Sequence, residues 1–557
     1  MLQSSHLIAC LSLTLAAGCA VPAHDRLTAA LDAADSETIG TSSGEDSTSV
    51  GEATSLPGTI STVTTDNGSP TSTTGLGSTN DTADTSDTGS MQPDNTPPSI
   101  FWMTAEPPKL TKAGPLTIDA SFTEDVEEVE LYAGDQLLET LTPDQLPHDF
   151  IVTSAELNGQ HDVSIRAIDD GGLTDDSAPV PITIALPESG ATVWKMIGDD
   201  PDIIHGHAIT PFAEGVAIGG AKVKQGWSTA IVRYYDGTNT LRWTASPVYA
   251  QGMTSSLTVA PDGGLIAVGQ VKKGQGFAPW LAKLDSLANI TLGPVIGNTG
   301  EAATGVAVAP TGEIYVSGYI QTPGEGKYDA MLWAYDADGV SSWSEQWENT
   351  TNKDYTGRWI DKAHAVVVLG DGTIATVGST EVQHPILDTE EVSRLLALRY
   401  GQGGALLTTW FAEPFPALES GGLAVSAEPN GDLLLGGWSS ELPTEYREAM
   451  TVKLSGPNYT PEWFRVEVSD KSGLEQVEGL ARLPGGAVVI GHTASNETTD
   501  LEVTAFLEPY APPLWSRTHS PADQDERCTD LSVGPFGAIY YLGISAEERF
   551  VAGELAP

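Results

Sequence analysis

Gly305-Val306-Ala307-Val308-Ala309-Pro310-Thr311-Gly312-Glu313-Ile314-Tyr315-Val316-Ser317-Gly318 reads as an apolar strand, a tight glycine turn and a second apolar strand closed by glycine. Ala365-Val366-Val367-Val368-Leu369-Gly370-Asp371-Gly372-Thr373-Ile374-Ala375-Thr376-Val377-Gly378 repeats it. The two glycines stand six apart in each of Gly263/Gly269, Gly312/Gly318, Gly372/Gly378, Gly431/Gly437, Gly485/Gly491 and Gly537/Gly543. Gly215 to Gly220 is a first copy with an altered turn, which makes seven. Every copy continues into a third apolar strand, such as TAIVRYYD, APWLAKLD or DAMLWAYD. In all but the last a fourth strand follows, marked by Trp243, Trp343, Trp410, Trp463 or Trp515, with Leu292 near that place in the second copy. Four antiparallel strands per repeat of this length predict the blade of a β-propeller.

The two ends of the repeat region complement each other. The seventh copy finishes with FVAGELA as its third strand and has no Trp strand. Ala191-Thr192-Val193-Trp194-Lys195-Met196 supplies one at the start, and Trp194 precedes Gly219 by 25 residues as Trp243 precedes Gly269 by 26. Pairing the 191–196 strand into the last blade closes a ring and removes two exposed sheet edges. The expectation is therefore an all-β chain with a seven-bladed β-propeller over 191–557. The copies resemble the bacterial SBBP-type propeller repeats, in which a glycine turn and a terminal glycine frame the inner strands. That resemblance implies the fold and says almost nothing of activity, since propellers host many.

Outside this region the character changes twice. Over 99–188, runs such as PLTIDASF, EEVELYA, HDVSIRAID and APVPITIAL alternate with turn signals at Gly134-Asp135, Asn158-Gly159 and Asp170-Gly171-Gly172. About seven short strands there predict a small β-sandwich. Asn158 to Gly172 resembles the penultimate strand and turn of bacterial Ig-like domains. Over 19–98 the chain is Ser/Thr/Gly/Asp-rich, with twelve acidic residues against one basic, Arg26. Such a stretch cannot offset its ordering entropy by burial and is read as a disordered, self-repelling tether.

Residues 1–18 read as an address. Leu7 to Ala17 is apolar but shorter than the roughly 20 residues a membrane-spanning helix needs. Its length suits a secretory signal. Leu15-Ala16-Ala17-Gly18-Cys19 resembles the lipobox of bacterial lipoproteins, which implies cleavage before Cys19 and acylation of its thiol. Ala20 follows it rather than Asp, which by the same resemblance points to the outer membrane. The n-region MLQSSH departs from the pattern, having no Lys or Arg. With Cys10 removed alongside the signal and Cys19 acylated, Cys528 is left as a small buried residue rather than a nucleophile.

Composition bounds the function. In 557 residues, 26 Lys+Arg face 75 Asp+Glu, a formal net charge of -49. That argues against nucleic acid as a partner and against docking on anionic lipid through a basic patch. Membrane contact is expected through the lipid anchor alone. No GxSxG elbow and no HExxH, Walker, EF-hand or dinucleotide motif occurs, so neither catalytic nor cofactor residues are assigned. Tyr335-Asp336-Ala337-Asp338-Gly339 and its counterparts bear a partial likeness to the Trp-docking segment of quinoprotein dehydrogenases. The Thr-Gly-Lys part is missing, and the Asp-Gly pairs read as hairpin turns.

His205-Gly206-His207 has a metal-like spacing, because residues i and i+2 share a strand face. His364 falls within a residue of the equivalent place in the fourth copy, with Asp361 just before it. These four and Arg527 are the candidates for the channel mouth. Glu124-Asp125, Asp169-Asp170 and Asp175-Asp176 have the oxygen ligands calcium takes, though turn carboxylates have the same look. The function expected is a surface lipoprotein presenting the propeller as a binding module for a protein or polysaccharide of the envelope or surroundings. The alternative is an envelope enzyme, a polysaccharide lyase, glycosidase or other hydrolase, with its site at the propeller mouth.

Overall fold

The computed structural model describes residues 96–557 apart from 124, 199–202, 323–326, 350–359, 384–390, 413–417, 442–445, 468–473, 496–498, 508, 510, 520–524 and 546–548. The expected signal, Cys19, most of the expected tether and Glu124 lie outside the described residues. Among those described, the chain is all-β, with three single-turn 3-10 helices and no helix long and apolar enough to cross a membrane.

Residues 100–184 form two sheets on one core. A three-stranded sheet joins Ile100–Glu106, Gly114–Phe122 and His148–Val152. A second joins Lys109–Leu110, Val180–Ile184, Gly159–Asp169, Val126–Ala133 and Gln136–Leu141, with Thr174–Asp176 beside Gly159–Asp169. Alternate residues of both, among them Leu116, Ile118, Val129, Leu131, Val163 and Ile165, are buried against one another. Such alternation is what one core face and one wet face demand.

Residues 192–555 form seven four-stranded antiparallel sheets. Sheet I is Ile203–Phe212, Gly215–Lys224, Trp227–Tyr235 and Leu241–Ala245, in that order. Sheets II to VI repeat the plan, their innermost strands being Gly252–Val259, Glu301–Val308, Lys362–Val368, Leu418–Ala427 and Gln476–Arg482. Sheet VII takes Glu526–Val533, Ile539–Ser545 and Phe550–Leu555 from the C-terminal end. Its outermost strand is Thr192–Ile197, paired antiparallel with Phe550–Leu555. Each innermost strand packs against the next, and that of sheet VII also packs against that of sheet I.

The core is divided accordingly. One apolar cluster fills each gap between successive sheets. A further cluster of Ile209, Val216, Ile218, Leu542, Phe550 and Ala552 fills the gap between sheets VII and I. Each sheet is thus covered on both faces. This explains why second strands such as Leu265-Ile266-Ala267-Val268 are apolar without alternation and buried throughout. The arrangement is β-propeller-like.

The marker tryptophans fasten one sheet to the next. Trp243 Nε1 of sheet I donates to the Ser286 carbonyl in a turn of sheet II at 2.9 Å, and Trp343 of sheet III to that of Gln402 in sheet IV at 2.8 Å. Leu292 takes the same place in sheet II, against Gly339 of sheet III.

Candidate functional site

The sheets have two unlike ends. At the turn end lie the hairpins joining first to second and third to fourth strands. At the mouth end each innermost strand begins, and the second strand turns into the third.

Near the mouth end every innermost strand is interrupted at the same level. One residue is skipped in the pairing with the second strand: His207, Ser255, Thr304, His364, Leu423, Glu478 and Thr529 in sheets I to VII. These are β-bulges, which bend a strand and re-aim side chains. Two are His, two Thr, and one each Ser, Leu and Glu, a mixture where the strands around them are alike. The bulge also explains the second glycine of the repeat. A Cβ at Gly220, Gly269, Gly318, Gly378 or Gly437 would stand 1.8 to 2.0 Å from a backbone carbonyl oxygen of the bulged strand, and at Gly543 it would stand 2.5 Å away.

Sheet VI departs from the repeat. Its turn glycine is Gly486, with φ at 87°, and the residue opposite Val477 is His492. The frame is therefore Gly486/His492, one residue later than the Gly485/Gly491 spacing. His492 is buried, its Nε2 lies 3.3 Å from Thr504 Oγ1, and burial lowers its pKa.

The candidates from sequence fall around this level. His205 and His207 lie together, with ring centroids 6.4 Å apart and nearly perpendicular. His364 is the bulge residue of sheet IV, the counterpart of His207. Arg527 is exposed and stands two residues before its bulge, as His205 does. Asp361 is fully buried just before the innermost strand of sheet IV. It accepts from Thr380 Oγ1 at 2.7 Å and from the Asn349 N–H at 2.8 Å, tying the incoming linker to the second strand. Burial raises its carboxyl to about 6. The two histidines of sheet I and the pair in sheet IV belong to non-adjacent sheets. Among the described residues no three His, Cys, Asp or Glu gather where they would hold a metal ion.

Of the acidic pairs of the first region, Asp169, Asp175 and Asp176 are engaged by protein donors, whereas among the described residues the buried Asp125 Oδ1 has no hydrogen-bond partner. Asp169 Oδ1 accepts from the Gly171 and Leu173 N–H groups, Asp175 from that of Ile100, and Asp176 pairs with Arg166 at 2.7 Å. Cys528 is buried, and burial pushes its thiol up, away from nucleophile chemistry.

Two acids of sheet VII, the buried Glu526 and the half-buried Asp530, were not singled out from sequence. Asp530 accepts from the Ile209 N–H of sheet I at 2.8 Å, across the gap between the last and first sheets, and burial raises it to about 7. Glu526 is fully buried at the start of the innermost strand, and burial raises it to about 7. Among the described residues its oxygens have no hydrogen-bond partner, nor do His519 Nε2 and Tyr541 Oη. The His519 and Tyr541 rings stack at 4.2 Å, and burial brings His519 down to about 4. Unusual pKa values of this kind concentrate at functional sites, though internal networks produce them too.

No family profile matches the chain, and no curated protein matches it. Solved structures do. A PL25 ulvan lyase aligns with a TM-score of 0.45 at 8% identity, over 64% of this chain and 92% of its own. The polysaccharide lyase Uly1 aligns at 0.42 and 10% identity, over 63% and 90%. Sqt1 from Chaetomium thermophilum aligns at 0.38 and 13%, over 64% and 82%. Likenesses this distant identify no activity.

Proposed function

We propose that this chain is an exported bacterial lipoprotein, anchored through Cys19 to the outer membrane or cell surface. On its tether it carries an Ig-like sandwich and a closed seven-bladed β-propeller, and the propeller binds a protein or glycan partner at its mouth end. The observation that carries the binding role is the ring of bulges. One framework is repeated seven times, and at one level it holds two histidines, two threonines, a serine, a leucine and a glutamate. A framework alone needs no such variety. Closure is supported by the apolar cluster and the Asp530 bond that join sheet VII to sheet I. The sandwich is supported by two sheets on one core.

Full-length chain expressed in a bacterium, then incubated with envelope extract and a polysaccharide panel with and without calcium, tests the reading. Retention of one component without new products is expected, together with an acylated Cys19 in the mass spectrum of the mature N-terminus. An unmodified Cys19 removes the anchor. Glu526 favours a second reading, an envelope lyase, glycosidase or other hydrolase working at the same mouth. Product release that Glu526→Gln abolishes, with binding kept, would establish it.

A further inference from the structure

Charge is divided along the first two sheets in a way that the rest of this acidic chain does not foreshadow. Residues 203–300 hold seven Lys and Arg against four acidic residues, in a chain of net charge -49. All four acids, Glu214, Asp236, Asp262 and Asp285, sit in turn-end hairpins. Four of the cations, Lys222, Lys224, Lys272 and Lys273, sit at the mouth end of sheets I and II; the carboxylates nearest in sequence to that end are Asp199, Asp200 and Asp202 before the stretch and Glu301 after it, which accepts from Asn298.

The lysines come in two matching hairpins. Sheet I has Lys222-Val223-Lys224-Gln225-Gly226-Trp227, and sheet II has Lys272-Lys273-Gly274-Gln275-Gly276-Phe277. Lys224 pairs with Trp227 across the first, and Lys272 with Phe277 across the second. Topology makes the hairpins neighbours, and the linker between the sheets fixes them together. The Gln251 carbonyl accepts from the Lys272 N–H at 2.6 Å. Gln251 also bridges to Thr229, which pairs with Lys222. Two residues before it Tyr249 is 93% exposed, held out by the buried Val248, and Trp227 is 65% exposed. Aromatic rings, ammonium groups and the amides of Gln225 and Gln275 thus share one open surface.

That mixture has a specific complement. Exposed rings offer flat apolar faces, amides answer hydroxyls, and ammonium groups answer anions. A sugar ring has an apolar face and a hydroxyl rim, and acidic sugars add a carboxylate or sulfate. We infer that the paired hairpins of sheets I and II are a docking surface for an acidic polysaccharide carrying carboxylates or sulfates along its chain. A nucleic acid strand is also a polyanion with flat rings, so poly-dT is the competing occupant against which the inference is tested. The inference rests on the binding reading above and names its ligand class and place.

Immobilised full-length chain is titrated with polygalacturonate, dextran sulfate, uncharged dextran, a poly-dT strand and phosphatidylglycerol vesicles. Saturable binding of polygalacturonate or dextran sulfate is expected, weakening as salt rises. A K222Q/K224Q/K272Q/K273Q variant should bind at least about tenfold more weakly, a difference near 1.4 kcal/mol. A W227A/Y249A variant should also weaken, and Arg242→Gln at the turn end should change nothing. Equal binding of dextran, tighter binding of poly-dT or of vesicles, or lysine variants that bind as well as the parent overturns the inference. An envelope component retained while both acidic polysaccharides fail sinks the inference and leaves the binding reading standing. Retention of nothing sinks both.

Discussion

The turn end and the mouth end of the seven sheets are made from the same strands, yet they handle polar groups in opposite ways. At the turn end carboxylates are spent on the backbone and on nearby cations. Asp236 Oδ1 accepts from the Thr238 and Thr240 N–H groups, and Asp285 and Asp336 hold their turns likewise. The Thr238 hydroxyl, with the Thr240 N–H behind it, keeps Asp236 well below the usual carboxylate range. Lys283 pairs with Asp262, Arg399 with Asp371, and Lys453 with Glu428, Asp432 and Glu462. At the mouth end Asp361 and Glu526 are buried and their pKa values pushed up, bulges break the ladder, and the repeat gives way to individual residues. Where structure is repeated, polar groups close the fold. Where residues differ from sheet to sheet, the repeat does not dictate them.

The largest effect that sharpens this contrast is expected within sheet V. A Cβ at Gly437 would lie 1.9 Å from the Gly421 carbonyl oxygen, a backbone clash that no side chain can relieve. Gly437→Ala should cost about 3 kcal/mol or more. Gly431, in the turn of the same sheet, has φ at 87° and nothing within 4 Å of a built Cβ. Gly431→Ala should cost only about 1 kcal/mol. Urea midpoints of the two variants measure the difference. Equal costs would mean that the bulge is not the reason for the second glycine.

A smaller effect than that of Gly437 should appear with pH. Glu526 and Asp530 hold protons near pH 7 when folded and release them near pH 4 when unfolded. Between those limits the folded chain binds more protons, so their contribution is full below about 4 and fades as pH rises through 7. His519, kept neutral by burial down to about 4, acts the opposite way between pH 7 and 4. The comparison is therefore between parent and an E526Q variant at pH 5 and pH 8. The parent should lose on the order of 2 kcal/mol more than the variant on going to pH 8. Parallel pH profiles would show that Glu526 is not held protonated by burial.

Much of the frame was readable in the sequence, because glycine spacing and apolar runs report local geometry. The seven copies and the Trp-marked outer strands follow from strings such as Gly312 to Gly318. The bulges did not, since a skipped residue exists only relative to a partner strand. That is why His364 was placed only to within a residue of His207's counterpart, and why the tandem Gly485-Gly486 hid the shift that puts His492 in a glycine's place. Asp361 was visible as a residue, but its bonds to Asn349 and Thr380 depend on how two sheets meet. The two lysine hairpins lie 50 residues apart in sequence. Only the order of the sheets makes them one surface.

Hydrogen exchange of the full-length chain, with and without the envelope component it retains, tests the division of labour most directly. Protection confined to mouth-end segments such as 222–227, 249–253 and 272–277 is the result predicted here. Protection centred on the turn-end segments 236–240, 285–291 and 336–340 would contradict it.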